Sequence, residues 1–228
     1  MRDALVLPFS SDHSLIVTAD NSGGIGLKEC DAVHVPHETL SYYSFRVAVM
    51  ECMAAGGEPI AAVIQNFCGT EAWEGLRAGV RKGMKELGMH FEVTGSTESN
   101  IPLLQSALGI MIVGKKMIAP EGTADSEGKK AALIGRPLVG QEVIDEEDWI
   151  APLSLFKWCC DTAGMDVWPV GSKGVAHEWK RFRGDVSVSK ADIPWTKSSG
   201  PSTCFLISYH QNLETEIRQK AGRHFTEL

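Results

Sequence analysis

The stretch "TADNSGGIGLKECD", residues 18–31, joins an apolar run to a glycine-rich turn. The preceding "SLIVTAD" (14–20) is short and contains β-branched residues, which predicts a strand that ends at Asp20. Three glycines and a lysine follow: Gly23, Gly24, Gly26 and Lys28. Glycines after a strand let backbone amides approach an anion closely, and a lysine adds a positive charge. The stretch fits neither GxxxxGK[ST] nor GxGxxG, so by itself it is more typical of a plain turn than of a phosphate loop.

The residues around this stretch predict a mixed sheet. Apolar and β-branched runs predict strands at 4–8, 14–20, 60–67, 90–95 and 105–115. Helices are predicted at 38–59, capped by Thr39 or Ser41 and stopped by Gly56, Gly57 and Pro59, and at 71–88. The first two strands are close enough in sequence for a hairpin, whereas the later ones need crossover connections through helices.

A change of composition at "KKMIAPEGTADSEGKK" (115–130) predicts a linker between two domains, 1–118 and 119–228. The second half is predicted to contain strands at 131–135, 185–189 and 202–210, and helices at 151–164 and 212–222. The sequence contains no internal repeat.

Composition excludes several classes of protein. The chain has 228 residues, 43% hydrophobic and 22% charged, as expected of an ordinary globular protein. A net charge of -7 disfavours nucleic-acid binding. No apolar run is long enough to span a membrane, and the N-terminus does not resemble a signal peptide, so we expect a cytoplasmic protein. The six cysteines form no CxxC pair, so we expect mostly buried thiols.

Three carboxylates are candidates for metal binding. Asp20 lies where the predicted strand meets the glycine turn, and a hairpin can bring Asp3 close to it. Magnesium on nucleotide phosphates requires rigidly held carboxylates. Glu51 lies on the apolar side of a helix in which Arg46 is the only neighbouring charge, and such a position is costly without a cation or hydrogen-bond donors. A buried ion pair and a metal site explain Glu51 equally well.

Other motifs are less specific. "TGSTESN" (94–100) ends a predicted strand with small hydroxyl side chains and Glu98, which suits either a polar ligand or a helix N-cap. "PVGSKG" (169–174) is a second, weaker Gly-Lys loop. His34 and His37 have an HxxH spacing, but Pro36 between them argues against a helical metal pair. These two histidines and the single His177 are more typical of surface or core positions than of ligands. No GxSxG is present, which disfavours a serine hydrolase.

Four motifs in order resemble the aminoimidazole ribonucleotide synthetase superfamily over residues 2–115. "MRDALVL" resembles its aspartate-led first strand, and "TADNSGGIGLK" its Asp-Gly-Val-Gly-Thr-Lys loop. "VMECMAAGGEP" is similar to its helix Asn-Asp-Ile-x-Ala-x-Gly-Ala-x-Pro, and "TGSTESNIP" to its Gly-Gly-Glu-Thr segment. Here residues 21–23 are extra, Glu51 replaces an aspartate and Ser96 replaces a glycine.

This resemblance implies an ATP-using enzyme of the group that includes thiamine-monophosphate kinase and selenophosphate synthetase. The implied fold class is α/β (α+β): an N-terminal mixed β-sheet domain with helices on one face, which dimerises through its sheet, followed by a reduced second α/β domain. The implied cofactors are ATP and Mg2+, and the implied partners are a nucleoside-like small molecule and a second copy of the chain.

Carried onto this sequence, the resemblance gives a set of site residues. The implied metal ligands are Asp3, Asp20, Glu51 and Glu98, with Thr97 as the alternative to Glu98. The implied nucleotide-binding residues are Gly24, Gly26, Lys28, Gly95, Ser96 and Thr97. The implied catalytic residues are Asp20, Lys28 and Asp31, and Asp31, His34 and His177 are candidates to orient the attacking hydroxyl.

The short overall length and the stretches "GGIGLKECDAVHVP", "MECMAAGGEP" and "GSTESN" most resemble the α-ribazole kinases of cobalamin salvage. This resemblance predicts phosphorylation of a ribose hydroxyl. Two alternatives are open: an ATP-dependent synthetase that activates a carbonyl or amide oxygen, and a non-catalytic ATP-binding module.

Overall fold

The structure is a computed structural model that describes residues 3–118, 128–184 and 193–228. The chain divides into two compact units, residues 2–118 and residues 119–228. Each unit is described separately below, as the N-terminal unit and the C-terminal unit.

The N-terminal unit contains seven strands and two helices in its described part. The strands are β1 (Leu5–Pro8), β2 (His13–Gly23), β3 (Ile25–Gly26), β4 (Val33–His34), β5 (Glu58–Asn66), β6 (Glu92–Thr97) and β7 (Ala107–Met117); the helices are α1 (His37–Ala54) and α2 (Trp73–Leu87). Five strands form a mixed sheet in the order β1-β2-β7-β5-β6, while β3 and β4 pair separately. Strand β7 runs antiparallel to β2 and β5, and β6 runs parallel to β5.

Helix α1 covers one face of this sheet, here called the inner face. Ile16, Ile64, Ile110 and Ile112 on that face are completely buried. Helix α1 packs on β2, β7 and β5 on one side and on α2 on the other. It is therefore apolar around most of its circumference, whereas α2 is amphipathic with an exposed polar side.

Small residues allow α2 to lie very close to α1. A Cβ atom added at Gly79 would lie 2.0 Å from Ser41 Oγ and 2.2 Å from the Glu38 carbonyl oxygen. One added at Gly83 would lie 2.4 Å from the Phe45 ring. Ser41 Oγ donates a hydrogen bond to the Leu76 carbonyl oxygen (2.6 Å), which ties the two helices together.

The C-terminal unit contains four strands and four helices in its described part. They are β8 (Lys130–Gly135), α3 (Glu142–Asp145), α4 (Leu153–Asp161), β9 (Asp166–Pro169), α5 (Gly174–Arg183), β10 (Cys204–Tyr209), α6 (Glu214–Ala221) and β11 (Phe225–Glu227). The strands form an antiparallel sheet in the order β11-β8-β10-β9. Val175 and Trp179 of α5 pack on Leu133 and Leu206, while Phe156 of α4 packs on Phe205. Both faces of this sheet are therefore apolar.

The predicted fold class is confirmed: both units combine sheets with helices, and the sheet of the N-terminal unit is mixed. Several boundaries differ from the prediction. Strand β2 does not end at Asp20 but continues to Gly23, because residues 20–23 keep pairing with β7. Strand β6 likewise runs on to Thr97, since it keeps pairing with β5. Helix α1 begins after Pro36 and has no side-chain cap, so the predicted cap at Thr39 or Ser41 was wrong.

In the C-terminal unit the prediction missed α3, β9, α5 and β11. The predicted strand at 185–189 and most of the predicted linker fall outside the described residues. The expectation for the cysteines is confirmed, since Cys52, Cys68, Cys159 and Cys204 are buried free thiols.

Candidate active site

Polar side chains meet at one edge of the N-terminal sheet. Strands β2, β5 and β6 are mutually parallel because both β2 and β5 run antiparallel to β7, so their carboxyl ends share that edge. Helix α1 runs antiparallel to β2: Ser44 in its first half contacts Ser22 near the end of β2, and Ala48 contacts Thr18. The first turns of α1 therefore lie at the same edge.

Asp20 lies on the inner face between Thr18 and Ser22, under α1. Thr18 Oγ1 donates to the Ala48 carbonyl oxygen (2.7 Å), and Ser22 Oγ lies 2.8 Å from Ser44 Oγ. Burial raises the pKa of Asp20 to about 6, although hydrogen bonds from the Asn21 amide and the Ser44 hydroxyl act in the opposite direction. This carboxylate is therefore insufficiently compensated, and either a proton or a cation would stabilise it.

In the described residues, the other three predicted metal ligands do not complete a cluster of three or more metal-binding side chains with Asp20. Glu51 lies on the same side of α1 as Ser44 but seven residues further on, which is about 10 Å along the helix axis. Asp3 is exposed and precedes β1. The Glu98 carboxylate accepts hydrogen bonds from the amides of Asn100 (2.7 Å) and Ile101 (3.1 Å), which lower its pKa.

The glycine turn holds itself together through main-chain hydrogen bonds. The Gly24 amide donates to the Ser106 carbonyl oxygen (2.8 Å), and the Gly24 carbonyl oxygen accepts from the Ala32 amide (2.7 Å). At Gly26 the φ angle is 152°, and an added Cβ would lie 2.4 Å from Ser106 Oγ. The Gly24 amide is thus bonded to the Ser106 carbonyl oxygen before β7 rather than directed at a ligand.

Asp31 fixes the turn to the start of β7. Its buried carboxylate accepts hydrogen bonds from the Ser106 amide (2.7 Å), the Ser106 hydroxyl (2.7 Å) and the Lys28 amide (2.8 Å). Burial acts to raise the pKa of Asp31, but these hydrogen bonds hold it below its ordinary value. With both oxygens occupied, Asp31 is placed to position the loop.

Lys28 connects the turn to the ends of two other segments. Its ammonium group donates to the carbonyl oxygens of Phe67 (3.0 Å) and Leu103 (3.0 Å). A lysine ammonium has three donors, so one stays available for a ligand. Lys28 is therefore both a structural tie and a positive charge beside the strand ends.

The three residues predicted on β6 lie on different faces. Gly95 and Thr97 point to the inner face and line an open cavity of about 540 Å³, together with Thr70, Glu71, Trp73 and Glu74. A Cβ at Gly95 would lie 2.1 Å from the Ile64 carbonyl oxygen and 2.9 Å from the Trp73 ring, so a larger residue would clash with the backbone of β5. Ser96 alternates to the opposite face.

The two histidine candidates lie on elements other than those that position Asp20. His34 is exposed on β4, in the strand that begins two residues after Asp31. His177 belongs to α5 in the C-terminal unit, where its Nε2 atom lies 4.0 Å from Glu178 Oε1. Neither position indicates a catalytic role.

Whether a magnesium ion fits this edge depends on Asp20. In the described residues no three histidine, cysteine or acidic side chains converge on one point. Magnesium bound to a nucleotide, however, requires only one or two carboxylates, because phosphate oxygens and water complete its octahedron. A half-buried carboxylate with a raised pKa fits that requirement. The Asp20 carboxylate and the phosphate oxygens of a nucleotide would together supply the ligands of the ion.

Three further residues at this edge were missed by the sequence analysis: Ser44, Asn66 and Ser106. Ser44 and Ser106 contact Asp20 and Asp31, and Asn66 Nδ2 donates to Thr97 Oγ1 (3.0 Å). Single serines in an apolar helix or before a strand give no local signal, because their partners are distant in sequence.

Residues 1–115 match the family described as AIR synthase related protein, N-terminal domain. The chain belongs to this family. No curated protein sequence matches the chain. Its described residues contain no helix that is long and apolar enough to cross a membrane.

Several solved structures are similar to this AIR synthase related protein. Thiamine monophosphate kinase from Aquifex aeolicus is 15% identical with a TM-score of 0.60, over 92% of this chain and 83% of that one. PurL from Thermotoga maritima, complexed with ADP, is 12% identical with a TM-score of 0.57, over 100% of this chain and 41% of that one. HypE in a HypE-HypF complex is 11% identical with a TM-score of 0.62, over 100% and 86%. At such low identities the likeness establishes the fold.

Proposed function

We propose that this chain is an ATP- and magnesium-dependent kinase that phosphorylates a hydroxyl group of a nucleoside-like small molecule, with α-ribazole as the expected acceptor. The observation that carries the proposal is the half-buried Asp20, whose pKa is raised to about 6 at the strand edge that also holds Lys28. Membership of the AIR synthase related family and the ADP bound to its structural relative PurL support ATP as the nucleotide.

Each residue at this edge has a separate task in the proposed reaction. Bound magnesium would neutralise charge on the β- and γ-phosphates, which phosphoryl transfer requires. Asp20 would hold that ion, while the third donor of Lys28 would contact a phosphate oxygen. Asp31 and Ser106 would keep the Lys28 loop in place. Glu51 and Asp3 are proposed to act further along the polyphosphate, and Gly95 and Thr97 to line the nucleotide site.

The reaction class can be tested by product analysis. We expect wild-type protein with Mg-ATP and a nucleoside panel that includes α-ribazole to give ADP and a new phosphomonoester signal by phosphorus NMR. A ring-closed or amidated product would indicate a synthetase instead. The kinase is favoured because the chain covers 83% of thiamine monophosphate kinase but only 41% of PurL. Mg-ATP binding without turnover of any acceptor would indicate a non-catalytic module.

A homodimer is also proposed, through the outer face of the sheet, opposite α1. This face carries Val17, Met111 and Val113 in neighbouring strands, and Leu5 of β1 is 56% exposed. A polar sheet face can remain exposed to water, whereas an apolar face is normally buried against another protein surface. Analytical ultracentrifugation should show a dimer that Met111→Glu converts to monomer; a wild-type monomer would contradict this.

A further inference from the structure

The outer face of the N-terminal sheet changes character near the carboxyl ends of β2 and β5. Asn21, Gly109 and Gln65 lie side by side on β2, β7 and β5, since Asn21 pairs with Gly109 and Gly109 pairs with Gln65. The next residues along the same face, Ala19 and Met111, are apolar. Two carboxamides thus flank a glycine beyond the apolar part of the face.

Gly109 determines where the Gln65 side chain lies. A Cβ added to Gly109 would lie 2.3 Å from Gln65 Oε1, so the carboxamide extends across β7 in the space that a side chain would fill. Adjacent strands are about 4.8 Å apart, so the Gln65 carboxamide over β7 lies about one strand spacing from Asn21 on β2. Among the described residues, neither side-chain amide has a protein hydrogen-bond partner.

These residues border an open cavity of about 460 Å³. Its lining also includes Ser22, Gly23, Phe67, Ala107 and Leu108. Phe67 is 39% exposed and supplies an aromatic wall. The Phe67 carbonyl oxygen accepts a hydrogen bond from the Lys28 ammonium (3.0 Å), so the cavity adjoins the charge that would contact a phosphate.

We propose that this cavity binds a flat heteroaromatic ring, held by edge hydrogen bonds from Asn21 and Gln65 and by contact with Phe67. A carboxamide presents one donor and one acceptor side by side, which matches the edges of nitrogen heterocycles. Aromatic side chains bind such rings through their faces. The extra residues 21–23 thereby acquire a role, because they continue β2 and supply one wall of the site. The inference rests on the proposed function, in which two ligands carry such rings: the adenine of ATP and the base of the acceptor.

The first test uses the rings alone and is independent of phosphoryl transfer. The side-chain NH2 signals of Asn21 and Gln65, assigned with Asn21→Leu and Gln65→Leu, are followed by proton–nitrogen NMR during titration with adenine and, separately, with 5,6-dimethylbenzimidazole. We expect one base to shift both signals, which identifies the source of the ring. Absence of shifts with both bases at millimolar concentration would overturn the proposal.

The second test separates the ring site from the phosphate site by calorimetry. Gln65→Leu should weaken binding of the ligand whose base shifted the signals by at least tenfold, and leave binding of magnesium tripolyphosphate within twofold of wild type. Thr94→Val, on the same face but outside the cavity, is the matched control and should bind all ligands as wild type does. Equal weakening of tripolyphosphate and base-bearing ligand would overturn the ring site. Failure of wild-type protein to bind tripolyphosphate would count against the proposed kinase, while the base titration still decides the cavity.

Discussion

Asp20 is the residue at which stability and proposed function oppose each other. Burial under α1 disfavours its ionised form and raises its pKa to about 6. The same feature gives a bound cation a favourable site, since an opposite charge relieves the cost of desolvation. Residues at active sites are often destabilising for this reason.

Asp20→Asn should therefore stabilise the protein in the absence of magnesium and nucleotide. An unfolded aspartate ionises near its ordinary pKa of 3.8, whereas the pKa of folded Asp20 is about 6. The free energy of unfolding therefore decreases as the pH rises from 3.8 to about 6, and the full loss is reached above that. We expect the variant to exceed wild type by about 1–2 kcal/mol at pH 7.5, with the difference shrinking as the pH falls from 6 to 4. Urea unfolding in EDTA at several pH values measures this.

The exposed Glu29→Gln variant provides the control and should show no comparable pH-dependent gain. If Asp20→Asn were less stable than wild type at pH 7.5, the hydrogen bonds from Asn21 and Ser44 would outweigh burial, and the reasoning for a cation at Asp20 would fail.

Asp31 should contribute to stability through the donors that it satisfies. Asp31→Ala leaves the amides of Lys28 and Ser106 and the Ser106 hydroxyl without their acceptor, so we expect a loss of about 2–4 kcal/mol in free energy of unfolding. The pKa of Asp31 is held below its ordinary value in the folded protein. This contribution is therefore present at neutral pH and is lost as the pH falls below the ordinary pKa and through the lowered pKa of the folded state.

Chemical denaturation at pH 7 compares Asp31→Ala with Glu29→Ala, an exposed neighbour expected to change stability by less than about 0.5 kcal/mol.

Asp31→Asn should keep the pH dependence of turnover seen in wild type. A missing limb in the pH–rate profile of Asp31→Asn would show that Asp31 exchanges protons with the substrate, contrary to the positioning role.

At the scale of elements, the close approach of α1 and α2 depends on Gly79. In an isolated helix, alanine is more favourable than glycine by about 1 kcal/mol. Here the added methyl group would lie 2.2 Å from the Glu38 carbonyl oxygen, so Gly79→Ala should destabilise the protein by several kcal/mol in thermal or urea unfolding. At exposed Arg81, replacement by alanine should instead be more stable than replacement by glycine. A stabilising Gly79→Ala would show that the helices can separate at little cost.

Elements whose signal is local could be predicted, and those that depend on distant pairing could not. The amphipathic pattern of α2 and the glycine after it predicted 71–88, and the structure has Trp73–Leu87. The ends of β2 and β6 were placed too early because "NSG" and "ST" are typical of turns, yet pairing with β7 and β5 keeps them extended. Ser44 and Ser106 were not predicted for the same reason, because their partners Asp20 and Asp31 are distant in sequence.

At the scale of the whole molecule, the N-terminal unit carries both proposed functional regions on one sheet. Asp20 and the Lys28 loop lie at the strand ends on or beside the inner face, while Asn21 and Gln65 border a cavity on the outer face. Successive residues of β2 alternate between faces, so adjacent residues can serve different parts of one ligand. The acids and the glycine turn could be singled out as candidates from the sequence. The side-by-side position of Asn21 and Gln65 could not, because it exists only after the strands pair.

The central claim is that Asp20 and magnesium together bind the polyphosphate of ATP. Calorimetric titration of wild type and Asp20→Asn with the non-hydrolysable ATP analogue AMPPCP, with and without magnesium, tests this most directly. We predict that magnesium strengthens AMPPCP binding to wild type at least tenfold and that Asp20→Asn abolishes this magnesium dependence while staying folded. Binding to the variant that is as tight and as magnesium-dependent as in wild type, or no binding to either protein, would contradict the account.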